Sequence, residues 1–165
     1  MNGASDAIRV LPATERDTSL ILSFIRSLAE YERLADACVA TEEAIRRSLF
    51  DENPAAEVLL AYSGGKPVGF ALFFHNYSTF IAARGLYLED LFVIPEARGQ
   101  GAGLALLSAL AKIALSRECG RMEWSVLAWN QLAIDFYLRI GAVPLDDWRM
   151  YRLTGEPLRR LAGPL

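Results

Sequence analysis

The sequence predicts an α/β layered fold in one domain, and three observations predict it. Apolar segments of strand length alternate with segments whose apolar residues recur every three or four positions. A glycine-bearing turn joins two of the apolar segments, and no repeat, linker or low-complexity stretch divides the 165 residues. A composition of 53% hydrophobic and 22% charged residues is that of a soluble globular protein with a real core.

Taken in order, "AIRVLPAT" reads as a short strand stopped by Pro12. Thr14 can cap a helix in which Leu20, Ile21, Phe24, Ile25 and Leu28 recur at helical spacing, and that helix ends in "AEYE". A weaker helix follows from Thr41, with Glu42 and Glu43 in the first turn, where the macrodipole favours acids. "AEVLLAY", "SGGKP" and "VGFALFF" read as a strand, a glycine turn and a second strand, a hairpin by its turn chemistry. "GLYLEDLFVIP" is a third strand of this run. From Gly101 to Cys119 the residues Leu104, Leu107, Leu110, Ala111, Ala114 and Leu115 form a helical stripe. "RMEWSVLAW" reads as another strand, and "NQLAIDFYLRIGA" as a short helix with Asn130 as N-cap and Gly141 at its end. "WRMYRLTG" reads as a last strand, followed by a terminal helix near "EPLRRLA".

A net charge of −3 argues against nucleic acid as a partner, which needs a clustered basic excess, and favours cationic substrates. Cys38 and Cys119 have no metal-ligand spacing and no disulfide framework, and His75 is the only histidine, so no metal is expected. The N-terminus lacks a basic segment followed by an apolar run. No stretch reaches the ~18 apolar residues that cross a bilayer, so no membrane is expected and a cytoplasmic location is.

The chemistry concentrates between Tyr87 and Leu107, where a strand with two adjacent acids, Glu89 and Asp90, runs into "EARGQGAG" and then a helix. Such a loop can turn backbone N–H groups and a helix N-terminus toward a phosphate. A ligand-free β-to-α turn is the plainer alternative. "GQGAG" does not fit G-x-G-x-x-G, and no G-K-[ST] is present for a Walker A loop. What remains is R-x-x-G-x-G, from Arg98 through Gly101 to Gly103, which resembles the pyrophosphate loop of the GNAT acetyltransferase superfamily. "WNQLAIDFYLRIGA" resembles a second signature of the same superfamily, N-x-x-A-x-x-F-Y-x-x-x-G-A, matched at Asn130, Ala133, Phe136, Tyr137, Gly141 and Ala142.

The resemblance covers nearly the whole chain and is strongest to the diamine acetyltransferase family, which includes spermidine/spermine and thialysine acetyltransferases. It implies a mixed, mostly antiparallel central sheet flanked by helices, with acetyl-CoA as cosubstrate and a small cationic amine as acceptor. By that alignment backbone groups of Leu91, Phe92 and Val93 hold the pantetheine arm, and Gly99, Gln100, Gly101, Ala102, Gly103 and Leu104 hold the pyrophosphate beside Arg98. Asn130, Gln131, Leu132 and Ala133 complete the cofactor wall, with Tyr137 by the sulfur. Tyr31, Glu32, Glu89, Asp90, Glu123, Trp124, Ser125 and Trp148 line the amine. The polyamine enzymes carry an acid in the loop before "YLED"; this chain has Ser78 in "NYSTF", which resembles the thialysine side, and a shortened segment between Ala142 and Trp148.

An alkylamine of pKa ~10.4 must lose a proton before it attacks, so Glu89 is the candidate base, with Asp90 and Glu32 attracting the cation. If the strand alternates, the two adjacent acids cannot both face water. Tyr137 is the candidate acid for the leaving thiolate. Acetylation of a protein lysine or N-terminus, or non-catalytic acyl-CoA binding, are the rival functions. The resemblance further implies a homodimer. His75 reads as a capped or exposed histidine, and Cys119, Trp129 and the Phe136 ring read as structural, as does Trp124 when considered without the alignment.

Overall fold

The computed structural model describes residues 7–163. The chain forms two compact units, the first ending at Ser125 and the second beginning at Val126. The first contains β1 (Arg9–Pro12), α1 (Thr18–Tyr31), α2 (Glu42–Leu49), β2 (Glu57–Ser63), β3 (Lys66–Ser78), β4 (Ala83–Val93), α3 (Ala102–Ser116) and β5 (Arg121–Trp124). The strands form one sheet in the order β1-β2-β3-β4-β5. The first three pairings are antiparallel and β4 with β5 is parallel, so the sheet is mixed and mostly antiparallel. A parallel pair needs a crossover, which α3 provides.

The local chemistry explains these elements. Gly64 and Gly65 both have positive φ, 54° and 76°, as the tight hairpin between β2 and β3 requires. Thr41 accepts a hydrogen bond from the Ala44 N–H at 3.2 Å and so caps α2. Thr14 is pulled instead into a short 3-10 turn, Glu15–Asp17, where its N–H donates to the Asp17 carboxylate at 2.7 Å, and α1 starts only at Thr18.

The sheet has two apolar faces. On one, Val58, Leu60, Phe70 and Phe92 meet Ile21, Leu22, Phe24 and Leu28 of α1 and Ile45 of α2, with the Phe24 and Phe70 rings stacked at 5.6 Å. Alternate residues, including Leu59, Ala71, Phe73, Leu86 and Leu88, turn to the other face, which α3 covers with Leu106, Leu107 and Leu110. Burying such side chains is worth ~1.5–3 kcal/mol each, which is why this sheet holds its register.

The second unit contains α4 (Gln131–Arg139) and α5 (Gly155–Ala162). The expected strand over "WRMYRLTG" does not form. Trp148 is 75% and Tyr151 87% exposed, and neither alternate set of side chains, Trp148, Met150 and Arg152 or Arg149, Tyr151 and Leu153, makes a uniformly apolar face. Strand propensity is realised only against a neighbour, and this segment has none among the described residues. The "RMEWSVLAW" strand is also shorter than expected, stopping at Trp124, for a reason found in β4.

Candidate active site

The pairing of β3 with β4 slips by one residue: Leu72 faces Asp90, but Phe73 faces Leu88, and Glu89 is left over. This is a β-bulge. It puts Tyr87 and Asp90 on the same face of the sheet, the α1 face, and lifts Glu89 outward. Strict alternation is therefore interrupted at the two acids, yet only Glu89 is exposed, so the two do not both face water, as expected from the sequence. The same bulge ends the parallel pairing, whose last partners are Leu88 and Trp124. Beyond it, among the described residues, no strand pairs with that edge of β4 along Leu91, Phe92 and Val93. The Phe92 ring is in the core, 4% exposed, so only its backbone is open to a ligand.

Helix α1 delivers Tyr31 and Glu32 to the same place. It closes with a Schellman motif, Leu34 N–H to Ala29 carbonyl and Arg33 N–H to Glu30 carbonyl, with Arg33 in the left-handed region at φ 62°. Burial, then Glu89, then Glu32 push the Asp90 carboxyl up to about 6, and burial also raises Glu32. Three carboxylates thus share one neighbourhood. Like charges so placed favour a cation or a proton.

After β4 a short turn at Pro95–Ala97 leads to Arg98 and the glycine loop. Arg98 donates from Nε to the Val93 carbonyl at 3.0 Å, and its guanidinium lies 4.5 Å over the Tyr31 ring and 5.7 Å from the Phe92 ring centre. It therefore ties the loop to β4 and to the end of α1. Gly101 is the N-cap of α3 with φ 92°, and Gly99 has φ 73°. A Cβ at either would meet nothing within 4 Å, so it is the backbone conformation, and not crowding by the protein, that requires glycine. No side chain caps α3, so the first-turn N–H groups of Ala102, Gly103 and Leu104 remain available for an anion. An open strand edge, a cradle with empty space over its glycines and an uncapped helix start suit an extended, phosphate-bearing cosubstrate.

Glu123, Trp124 and Ser125 lie at the end of β5. Glu123 is already engaged, accepting from Asn76 Nδ2 at 3.1 Å and pairing with Arg121 Nε at 2.9 Å; the Ser125 and Tyr87 hydroxyls are 2.9 Å apart. Asn76 and Arg121 drew no attention in the sequence, because their meeting depends on three strands. Ser78 is not in a loop. It is the last residue of β3, paired with Ala83 and 5% exposed. His75 is half-buried within β3, its pKa lowered by burial first and then by Arg117. Among the described residues no cluster of three or more His, Cys, Asp or Glu could hold a metal, and no helix is long and apolar enough to cross a membrane.

In the second unit the Asn130 side chain caps α4, accepting from Ala133 N–H at 3.3 Å. The helix closes with a Schellman motif at "GA", Ala142 N–H to Tyr137 carbonyl and Gly141 N–H to Leu138 carbonyl, with Gly141 at φ 89°. Tyr137 is half-buried with its ring 5.6 Å from that of Phe136, Gln131 and Leu132 are exposed, and Trp148 is largely exposed.

The sequence matches the family described as the acetyltransferase (GNAT) family over residues 24–142. It is 40% identical to a thialysine N-epsilon-acetyltransferase of Sus scrofa, over 95% of this chain and 98% of the relative. It is 32% identical to an L-ornithine N5-acetyltransferase of Arabidopsis thaliana, over 93% and 87% respectively. A solved structure of an integron cassette protein from V. cholerae superimposes with a TM-score of 0.80 at 28% identity, covering 95% of this chain and 98% of that one.

Proposed function

The chain belongs to the acetyltransferase (GNAT) family, and from that premise we propose that it moves an acetyl group from acetyl-CoA to the primary amine of a small molecule. The observation that carries the reading is the bulge at Glu89, which sets an acidic cluster beside an open strand edge that runs into the glycine loop. Relatives named for thialysine and ornithine support an amino acid as acceptor, with diamines and polyamines as the wider class. The family match runs over residues 24–142, across the division at Ser125, which supports reading the chain as a single GNAT domain. A cytoplasmic homodimer, implied by the resemblance, belongs to the same proposal.

Each residue then has a task. Leu91, Phe92 and Val93 offer backbone groups to the pantetheine arm, and Gly99 to Leu104 offer N–H groups to the pyrophosphate, with the Arg98 guanidinium alongside. Asn130 to Ala133 border the arm. Acetyl-CoA supplies an activated thioester carbonyl. Glu32, Glu89 and Asp90 draw in the ammonium. Glu89, exposed at the bulge, takes its proton, directly or through a water, and Asp90 completes the proton-accepting pair; a carboxyl near pH 6 suits that role at neutral pH. Tyr137 donates a proton to the departing thiolate. The amine attacks directly, so no covalent enzyme intermediate is needed, and alignment of the two reactants provides much of the rate.

The cofactor part of this reading is tested by heat. Acetyl-CoA should raise the Tm of the wild type, since a ligand bound only by the folded state stabilises it. Gly101→Val, with a β-branched residue forced to φ 92° over the cradle, should lose most of that increase. An undiminished increase in a folded Gly101→Val protein would remove the glycine loop from the cofactor site.

A further inference from the structure

The face that carries Asp90 continues, away from the bulge, into a polar strip that the steps above do not use. Asn76 of β3 and Arg121 of β5 both pair with Gly85 of β4, and Glu123 pairs with Tyr87 one step nearer the acids. A Cβ on Gly85 would collide with Asn76 Oδ1 and come within 3.4 Å of Arg121 Cγ. Glycine thus lets side chains from both neighbouring strands lie over β4. Asn76 Nδ2 and Arg121 Nε both bind the same oxygen of Glu123, Oε2, at 3.1 and 2.9 Å. Among the described residues no hydrogen bond engages Glu123 Oε1 or the terminal nitrogens of the guanidinium, and the two side chains are 25% and 39% exposed, so a solute can reach them.

We propose that Asn76, Arg121 and Glu123 form a subsite for the zwitterionic head of an ω-amino amino acid, with the α-carboxylate on the Arg121 fork and the α-ammonium on Glu123 Oε1. The inference rests on the small-amine reading above and narrows its acceptor. A strand advances ~3.3 Å per residue, so the level of Glu123 is ~7 Å along the sheet from Glu89, and the ion pair with Glu123 Oε2 brings the Arg121 guanidinium to that same level. An aliphatic spacer of four or five bonds between the ω-nitrogen and the α-carbon covers this interval, which sets the α-ammonium and α-carboxylate beside the Glu123–Arg121 pair. Asn76 is a positioning residue that fixes which Glu123 oxygen faces the ligand. A diamine has no partner for Arg121, and a longer polyamine brings an ammonium against that cation.

The test compares kcat/KM for thialysine, its methyl ester and the corresponding diamine without a carboxyl group, in wild type, Arg121→Gln and Arg121→Lys. Wild type should prefer the free acid to the ester by ~10-fold or more, chiefly through KM, as expected for a charge-assisted contact. Arg121→Gln should erase that preference and Arg121→Lys restore part of it. Equal use of acid and ester by the wild type overturns the proposal without need of any variant. So does an equal loss on all three substrates in Arg121→Gln, which would mark a purely structural role in holding β5. Acceptance of the diamine with refusal of the amino acid defeats this inference alone. Refusal of all three by a wild type that acetyl-CoA still protects from heat defeats the small-amine reading beneath it.

Discussion

Tyr137→Phe lowers kcat by ~10²–10⁴ and leaves acetyl-CoA binding nearly intact, the expected signature of losing a proton donor that acts in the transition state. Phenylalanine keeps the ring beside Phe136, and the backbone carbonyl of residue 137 still closes α4, so the variant should fold normally. With a reference pKa of ~10, tyrosine is a neutral donor at pH 7 and matches a thiolate that must not depart unprotonated. The split between kcat and KM distinguishes this from a packing effect, which would shift Tm. Wild-type turnover in a folded Tyr137→Phe protein would exclude the tyrosine as the essential acid.

Asp90→Asn stabilises the free protein and impairs it as an enzyme. A carboxyl raised from 3.8 to about 6 in the folded state holds its proton more tightly there than in the unfolded chain. Its contribution to stability is complete below pH ~4, falls as pH rises through ~6, and is absent at pH 8, a loss on the order of 2–3 kcal/mol. Asparagine abolishes that pH dependence, so at pH 8 the variant should need more urea to unfold than the wild type, with the difference shrinking toward pH 4. The kcat/KM for an amine should fall by ~10² because the cation loses an anionic partner and the proton-accepting pair is broken. Equal stability of the two proteins at pH 8, with parallel pH profiles, would show that Asp90 is not held in the repulsive cluster described.

Much of this was legible in the sequence where the physics is local. The hairpin at "SGGKP", the glycine loop before α3, the Asn130 cap and the "GA" closure of α4 each depend on a few adjacent residues, and each appears as read. What could not be read depends on register between strands. The bulge at Glu89 is a mismatch of one residue between β3 and β4; it interrupts the alternation at the acids, of which only Glu89 is exposed, and it coincides with the end of the β4–β5 pairing at Leu88 and Trp124. The Asn76–Glu123–Arg121 strip requires three strands in register, and its one sequence sign is a glycine in the middle of a strand, at Gly85. Ser78 closes β3, and not a loop, because that strand runs farther than its apolar segment, through "HNYS". "WRMYRLTG" had the composition of a strand but no apolar face to bury.

The central claim, acetyl transfer from acetyl-CoA to a small primary amine, is tested most directly by following free thiol release by the wild type at fixed ionic strength with a panel of amines. The predicted result is amine-dependent release, with one acetylated amine formed per thiol and a higher kcat/KM for thialysine or a short diamine than for spermine. A preference for spermine would move the protein to the polyamine branch. Thiol release with peptides and none with small amines, or no release from a protein that acetyl-CoA nonetheless stabilises, would contradict the claim.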